Sequence, residues 1–219
     1  MITEERLNTF INSFYSGNTP FLNELEEYAK ETNVPIIRPG MQSFIKVLLA
    51  LKKPARILEV GSAIGFSALL MAQYNPVRCT ITTIENYEKR IPIARENFKK
   101  AGMDDRITLI EGDAADVLKE LDGRYDLIFM DAAKGQYINF LPDVLRLLDD
   151  DGVLLSDNVL QDGNVMESRF AVVRRDRTIH SRMREYLYEL THNPELITDI
   201  IPVGDGITLS VKVSLKEAK

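Results

Sequence analysis

Apolar positions along this chain come in short unbroken runs that alternate with segments of helical periodicity. The runs Arg56–Val60, Thr80–Ile84, Ile107–Glu111, Asp126–Met130 and Val153–Ser156 predict strands. Helical patterns near 66–74, 87–101, 114–121, 136–148 and 168–192 fill the intervals and predict crossover helices. Such alternation implies an α/β fold with a mainly parallel sheet covered on both faces. The ending differs: Leu196–Pro202 and Ile207–Val213 flank Val203-Gly-Asp-Gly206, a hairpin signal that makes the final pair antiparallel.

The first forty residues follow another rule. Leu7, Phe10, Ile11 and Phe14 recur at helical spacing after Thr3 and two acidic residues, which suit a helix start. Thr19-Pro20 opens a second helix with Phe21, Leu22, Leu25, Tyr28 and Ala29 on its apolar face. Val34–Gly40 should be extended, because each residue before a proline is driven out of the α region. A helix over 41–51 then leads into the first strand. No repeat or Gly/Ser linker interrupts the chain, so residues 1–219 read as one domain, with a helical extension over 1–40 and a core over 41–213.

Composition narrows the class without naming a chemistry. Hydrophobic content of 45% with 27% charged residues describes a globular protein, and no apolar run approaches the ~20 residues that span a bilayer. The N-terminus carries no apolar signal core. The single cysteine, Cys79, reads as a small buried apolar residue, and a reducing cytoplasm is the expected setting. A net charge of −6 argues against a surface coated in basic residues but permits a local basic patch.

The candidate chemistry lies at strand ends. Asp131-Ala-Ala-Lys134 follows one apolar run and Asp157-Asn158 follows another, so a parallel sheet brings two carboxylates, an amide and an amine to neighbouring carboxyl ends. Open α/β sheets bind their ligands there. Three hard oxygen donors suggest a Mg²⁺-type site, although Asp and Asn also serve as ordinary helix caps. Adjacent strand residues face opposite ways, so Asp157 and Asn158 can share an ion only if the chain leaves the sheet at Ser156. A metal on Asp131, Asp157 and Asn158 would leave about three octahedral positions for water or a substrate with two adjacent oxygens.

Three further strand ends add a ligand-binding pattern. Glu59-Val-Gly-Ser-Ala-Ile-Gly65 follows the first strand, with Gly61 and Gly65 permitting a sharp turn and close approach. Its spacing departs from the dinucleotide fingerprint, and a plain strand-to-helix turn explains it as well. Glu85 ends the second strand, where an acidic residue can accept both hydroxyls of a ribose or simply start a helix. Glu111-Gly-Asp-Ala114 ends the third and can meet the edge of an adenine ring.

Taken in order, Glu-Val-Gly-Ser-Ala-x-Gly, Glu85, Gly-Asp-Ala, Asp-Ala-Ala-Lys and Asp-Asn resemble the metal-dependent class I O-methyltransferases, which include the catechol and caffeoyl-coenzyme A enzymes. The resemblance covers about residues 34 to 213. It implies a Rossmann-like, seven-stranded sheet with the last strand antiparallel and S-adenosylmethionine as cofactor. It also implies that Gly61, Ser67, Glu85, Asp113 and Ala114 hold that cofactor, that Met41 lines its methionine end, and that Asp131 touches both cofactor and metal. Lys134 becomes the general base, or a cation steadying an ionised hydroxyl; a surface lysine at a helix start is the plainer reading.

Substrate clues are confined to one basic segment. Arg169, Arg174, Arg175, Arg177, Arg182 and Arg184 sit over an apolar helical stripe and offer either an RNA-phosphate footprint or a solvated face. Lys134-Gly-Gln-Tyr137, Asp157-Asn-Val-Leu160 and Ile201-Pro-Val-Gly-Asp-Gly206 resemble the bacterial tRNA 5-hydroxyuridine methyltransferases, which implies a wobble uridine in the tRNA anticodon loop as substrate. Tyr137 or Phe170 would be candidates to stack on such a base, although both are more often core aromatics. A small catechol or phenylpropanoid offers the same oxygen pair and remains the alternative. A nucleotide-binding protein or dehydrogenase is a third reading, opposed by the missing dinucleotide fingerprint. A homodimer is expected by analogy, with the apolar N-terminal helices as one possible contact.

Overall fold

The computed structural model describes residues 4–213. Strands β1 (Arg56–Val60), β2 (Thr80–Glu85), β3 (Ile107–Glu111), β4 (Tyr125–Met130), β5 (Leu148–Ser156), β6 (Leu196–Ile201) and β7 (Ile207–Lys212) form a sheet in the order β3-β2-β1-β4-β5-β7-β6. The first five are parallel, and β7 runs antiparallel between β5 and β6. This is the seven-stranded, mainly parallel sheet that the strand pattern and the resemblance led us to expect. Chain order reverses between β1 and β4, which opens a crevice at their carboxyl ends.

Eight α-helices are described: α1 (Glu4–Asn12), α2 (Pro20–Glu31), α3 (Pro39–Lys52), α4 (Phe66–Tyr74), α5 (Ile91–Lys100), α6 (Ala114–Glu120), α7 (Tyr137–Leu147) and α8 (Arg177–His192). Alternate strand residues feed two cores. Ile57, Leu127, Phe129, Val153 and Leu155 pack with α3, α4 and α5 on one face. Leu58, Val60, Ile128, Met130 and Leu154 pack with α6, α7 and α8 on the other. The period-two burial of strands and the crossover helices are thus the same fact seen from two sides.

The departures from expectation are local. Thr3, offered as a helix start, lies outside the described residues. α3 begins at Pro39 rather than residue 41, with proline in the first turn where its missing N–H costs nothing. α5 begins at Ile91 rather than 87. β5 starts at Leu148, which pairs with Tyr125 before a register irregularity; the polar Asp149–Asp151 stretch concealed it. The helix expected over 168–192 is confined to Arg177–His192, and short 3₁₀ turns at Asn164–Met166 and Arg174–Asp176 precede it. α8 side chains bond the carbonyls of the stretch before it: Arg184 bonds Val165 O, Arg177 bonds Phe170 O and Val172 O, and His180 Nε2 lies 3.0 Å from Glu167 O.

Gly65 caps α4 in the left-handed region at φ +83°, and a Cβ there would overlap the ring of Phe98 on α5. Gly65→Ala is therefore expected to destabilise by about 2–4 kcal/mol through strain and overpacking together. Gly102→Ala, at φ +63° with open space around it, should cost only the backbone part, about 1–2 kcal/mol. Denaturant unfolding of the two variants checks this, and equal losses would contradict the packing argument.

Candidate active site

A cleft of about 750 Å³ opens above the carboxyl ends of β1, β2, β3 and β4. Gly61, Ser67, Glu85, Asp113, Ala114, Asp131, Lys134 and Asn158, all singled out in the sequence, lie on its wall. Met41 does not: it is buried in the core face of α3, and the extended segment Pro35–Ile37 lines the cleft instead. Asp157 is also absent from the wall and is only 5% exposed, just behind Asn158.

Close backbone approach builds the loop after β1. Gly61 sits at φ +101°, and a Cβ there would overlap the carbonyl oxygen of Asp131. The Gly61 and Ser62 amides both donate to Ile84 O, at 3.0 and 3.1 Å, so the loop is pinned to β2. Glu85 grips it as well: one carboxylate oxygen accepts the Ala63 amide at 2.7 Å and the other accepts the Asn86 and Tyr87 amides. Asp113 caps α6 by accepting the Ala115 amide at 2.8 Å. Asp113 thus caps α6, and Glu85 holds loop amides without capping a helix, since α5 starts only at Ile91; both carboxylates still border the cleft.

Beneath the loop lies Glu59, fully buried. Its carboxylate accepts a 2.5 Å hydrogen bond from the Thr83 hydroxyl, and its other oxygen has no partner. Burial pushes its pKa up to about 7; Asp131 and Glu85 add repulsion, while the nearby Ser67 hydroxyl and the Thr83 hydrogen bond oppose the rise.

Beside the loop, the ends of β4 and β5 assemble the acidic group. The Asp131 amide donates to Val60 O at 3.0 Å and the Asp157 amide to Met130 O at 2.9 Å, so sheet pairing carries both residues to one level. After Ser156 the chain leaves the sheet. Asn158 adopts φ +59°, and the Val159 and Leu160 amides bond Gly206 O and Asp205 O in the β6–β7 turn. Past that departure Asn158 Nδ2 lies 3.3 Å from Asp131 Oδ1, and the Asp157 carboxylate accepts the Asn158 amide at 2.7 Å. Lys134 stands on the 3₁₀ turn before α7, its Nζ 3.5 Å from Asp205 Oδ2. Asp205 also accepts the Asp162 amide, and sequence reading gave it only a turn role.

Whether these donors suit a divalent cation is decided by their electrostatics. Among the described residues no group of three or more His, Cys, Asp or Glu forms a metal-ligand cluster; the set here is two carboxylates and an amide. Burial raises the pKa of Asp131, against the pull of Lys134 and Asn158. Burial, reinforced by repulsion from Asp131, raises that of Asp157 to about 7. Asp157, buried, and Asp131, half-buried on the cleft wall, each resist ionisation, a cost that a divalent cation would relieve, and half a turn of the Asn158 amide would add a third oxygen. The residues fit the ion.

The arginine segment answers differently. Arg182 donates to Gly135 O, and Arg177 and Arg184 bond backbone carbonyls of the preceding loop, so these three act as internal braces. Arg169, Arg174 and Arg175 are exposed, as is Phe170. Tyr137 is fully buried and cannot stack on a substrate.

Known proteins share this architecture. A family model described as O-methyltransferase matches residues 12–213. The caffeoyl-CoA O-methyltransferase of Medicago sativa is 33% identical over 184 residues, covering 78% of this chain and 72% of that protein. The catechol O-methyltransferase of Mycobacterium tuberculosis is 29% identical, covering 73% and 74%. The crystal structure of the SAH-bound methyltransferase PaMTH1 of Podospora anserina superposes with a TM-score of 0.86 at 29% identity, covering 98% of each chain.

The raised carboxylates predict a pH signature. Glu59 binds its proton more tightly when folded than unfolded, so folding takes up protons between about pH 4.5 and 7. Its contribution to stability is present below that window and is lost as pH rises through it. Glu59→Gln, assayed without metal, should therefore stabilise the protein at pH 8 by on the order of 1–3 kcal/mol and leave pH 4.5 nearly unchanged. An equal effect at both pH values in thermal unfolding would refute the assignment. Fold, cleft, family model and relatives agree, and this chain belongs to the O-methyltransferase family.

Proposed function

We propose that the chain transfers a methyl group from S-adenosylmethionine to one of two adjacent oxygens of a small catechol-like substrate, with a divalent cation, Mg²⁺ first, held by Asp131, Asp157 and Asn158. The observation that carries this reading is the contact between the cofactor-type loop and the acidic group, where Gly61 touches the Asp131 backbone. The cation and cofactor supply, respectively, charge that favours an ionised hydroxyl and an activated methyl group on a sulfonium.

The chain's own residues do the rest. Gly61, Ser67, Glu85, Asp113 and Ala114 border the space for the donor, and Asp131 stands between that space and the substrate side. Lys134 projects from the turn before α7 and is the group that holds or receives the hydroxyl proton at its Nζ, with Asp205 as its carboxylate partner. Alignment of donor and acceptor is the main requirement of such a transfer, and a rigid wall on strand ends supplies it.

A small substrate is favoured over tRNA because three of the six arginines are spent on backbone carbonyls. Arg169, Arg174, Arg175 and Phe170 stay exposed, and they favour the anticodon-loop reading as the second candidate. The exposed apolar side chains of α1 and of the turn after it, where Phe10 and Phe14 pack edge to face, are assigned to contact with a second copy. No described helix is long and apolar enough to cross a membrane.

Incubation with methyl-labelled S-adenosylmethionine and a panel of vicinal dihydroxyaromatics should label the panel when Mg²⁺ is present and fail with chelator. Lys134→Ala should lower kcat by about 10²-fold or more while cofactor affinity stays within a few fold. Label in hydroxyuridine-containing tRNA but not in the panel would overturn the small-molecule reading.

A further inference from the structure

Tyr137 opens α7 and is fully buried, yet its hydroxyl does not end among apolar atoms. It lies 3.1 Å from Met130 O, 3.2 Å from Asp157 O and 3.3 Å from the Ala132 amide. Met130 and Ala132 flank Asp131 in the chain, and Asp157 is the second carboxylate. A phenol has one proton to give and lone pairs to accept with. One oxygen therefore donates toward the two carbonyls, accepts the Ala132 amide, and ties the β4 exit on both sides of Asp131 to the β5 exit at Asp157.

The tie is independent of the sheet. Pairing of β4 with β5 ends at Met130 and Ser156, and beyond that point the Asp157 amide bond to Met130 O is the last ladder-like contact. The Tyr137 hydroxyl supplies the next connection outward, at the level of the carboxylates themselves. Because Tyr137 directly follows the Lys134–Gln136 turn, the same side chain anchors the turn that carries Lys134.

We propose that Tyr137 is a positioning residue for the cation: its hydroxyl fixes the backbone separation of Asp131 from Asp157 and so sets the geometry of the two carboxylates. This rests on the reading of Asp131, Asp157 and Asn158 as cation ligands. Groups that orient metal ligands typically carry about 10–100-fold of metal affinity. A purely structural phenol would carry only fold stability, about 1–3 kcal/mol for leaving its partners unsatisfied.

Tyr186 provides a matched control. It is equally buried, its ring packs edge to face on Tyr137 at a centroid distance of 5.4 Å, and its hydroxyl bonds the Ser156 side chain at 2.6 Å. Its hydroxyl is not bonded to the backbone of residues 130–132 or 157. Tyr137→Phe and Tyr186→Phe each remove one buried hydroxyl, and a loss of this size leaves a domain of ordinary stability folded.

Mn²⁺ binding to the full chain, read by electron paramagnetic resonance with S-adenosylhomocysteine present, tests the inference without any turnover. Y137F should weaken Mn²⁺ by about tenfold or more, with Y186F within threefold of the parent. Y137F within threefold of the parent, or Y186F weakened as much as Y137F, overturns the positioning role while leaving the cation reading intact. A parent protein with no saturable Mn²⁺ binding overturns the cation reading and this inference together.

Discussion

Parallel pairing of β4 with β5, in the register that sets Met130 opposite Ser156, is the constraint on which the site depends. It delivers Asp131 and Asp157 to the same level at the carboxyl ends of two interior strands. A slip of one residue would send one carboxylate to the opposite face. The register is held from below by two apolar runs that feed both cores, Leu127–Met130 and Val153–Leu155, so the chemistry inherits its precision from packing. Gly61 extends the same constraint to the cofactor side, since only a residue without Cβ lets that loop lie against the Asp131 carbonyl.

The electrostatic consequence follows from this geometry. Asp131, Asp157 and Glu59 are brought close together in a poorly solvated region, with Lys134 as the cation acting on the first two. Each carboxylate is pushed toward its neutral form, which is a cost that the fold accepts. On the proposed reading, a divalent cation held there would remove much of that cost, so the electrostatic penalty and the proposed function would fall on the same atoms.

Much of this was legible in the sequence because it depends on short-range pattern. Five parallel strands showed as apolar runs, and the strand-end residues Gly61, Glu85, Asp113, Asp131 and Asn158 could be located from where those runs stop. What could not be read depends on contacts between distant segments. The helix predicted over 168–192 begins only at Arg177, and the stretch before it is tied to α8 by side-chain bonds to its carbonyls, contacts that no local pattern shows. Met41, implied by the resemblance at the methionine end with an ordinary core role as the other reading, is buried on α3. Arginines that looked like a phosphate footprint proved in part to be braces. Tyr137, considered for base stacking, is the buried link behind the acidic group, a role that no local pattern announces.

The most direct test of the account is the position of a Mn²⁺ ion in anomalous diffraction from crystals of the full chain grown with S-adenosylhomocysteine. The account predicts a peak within roughly 2.0–2.6 Å of oxygens from Asp131, Asp157 and Asn158, the range of hard-cation ligation. A filled cofactor cleft with no ion at those three residues would contradict it.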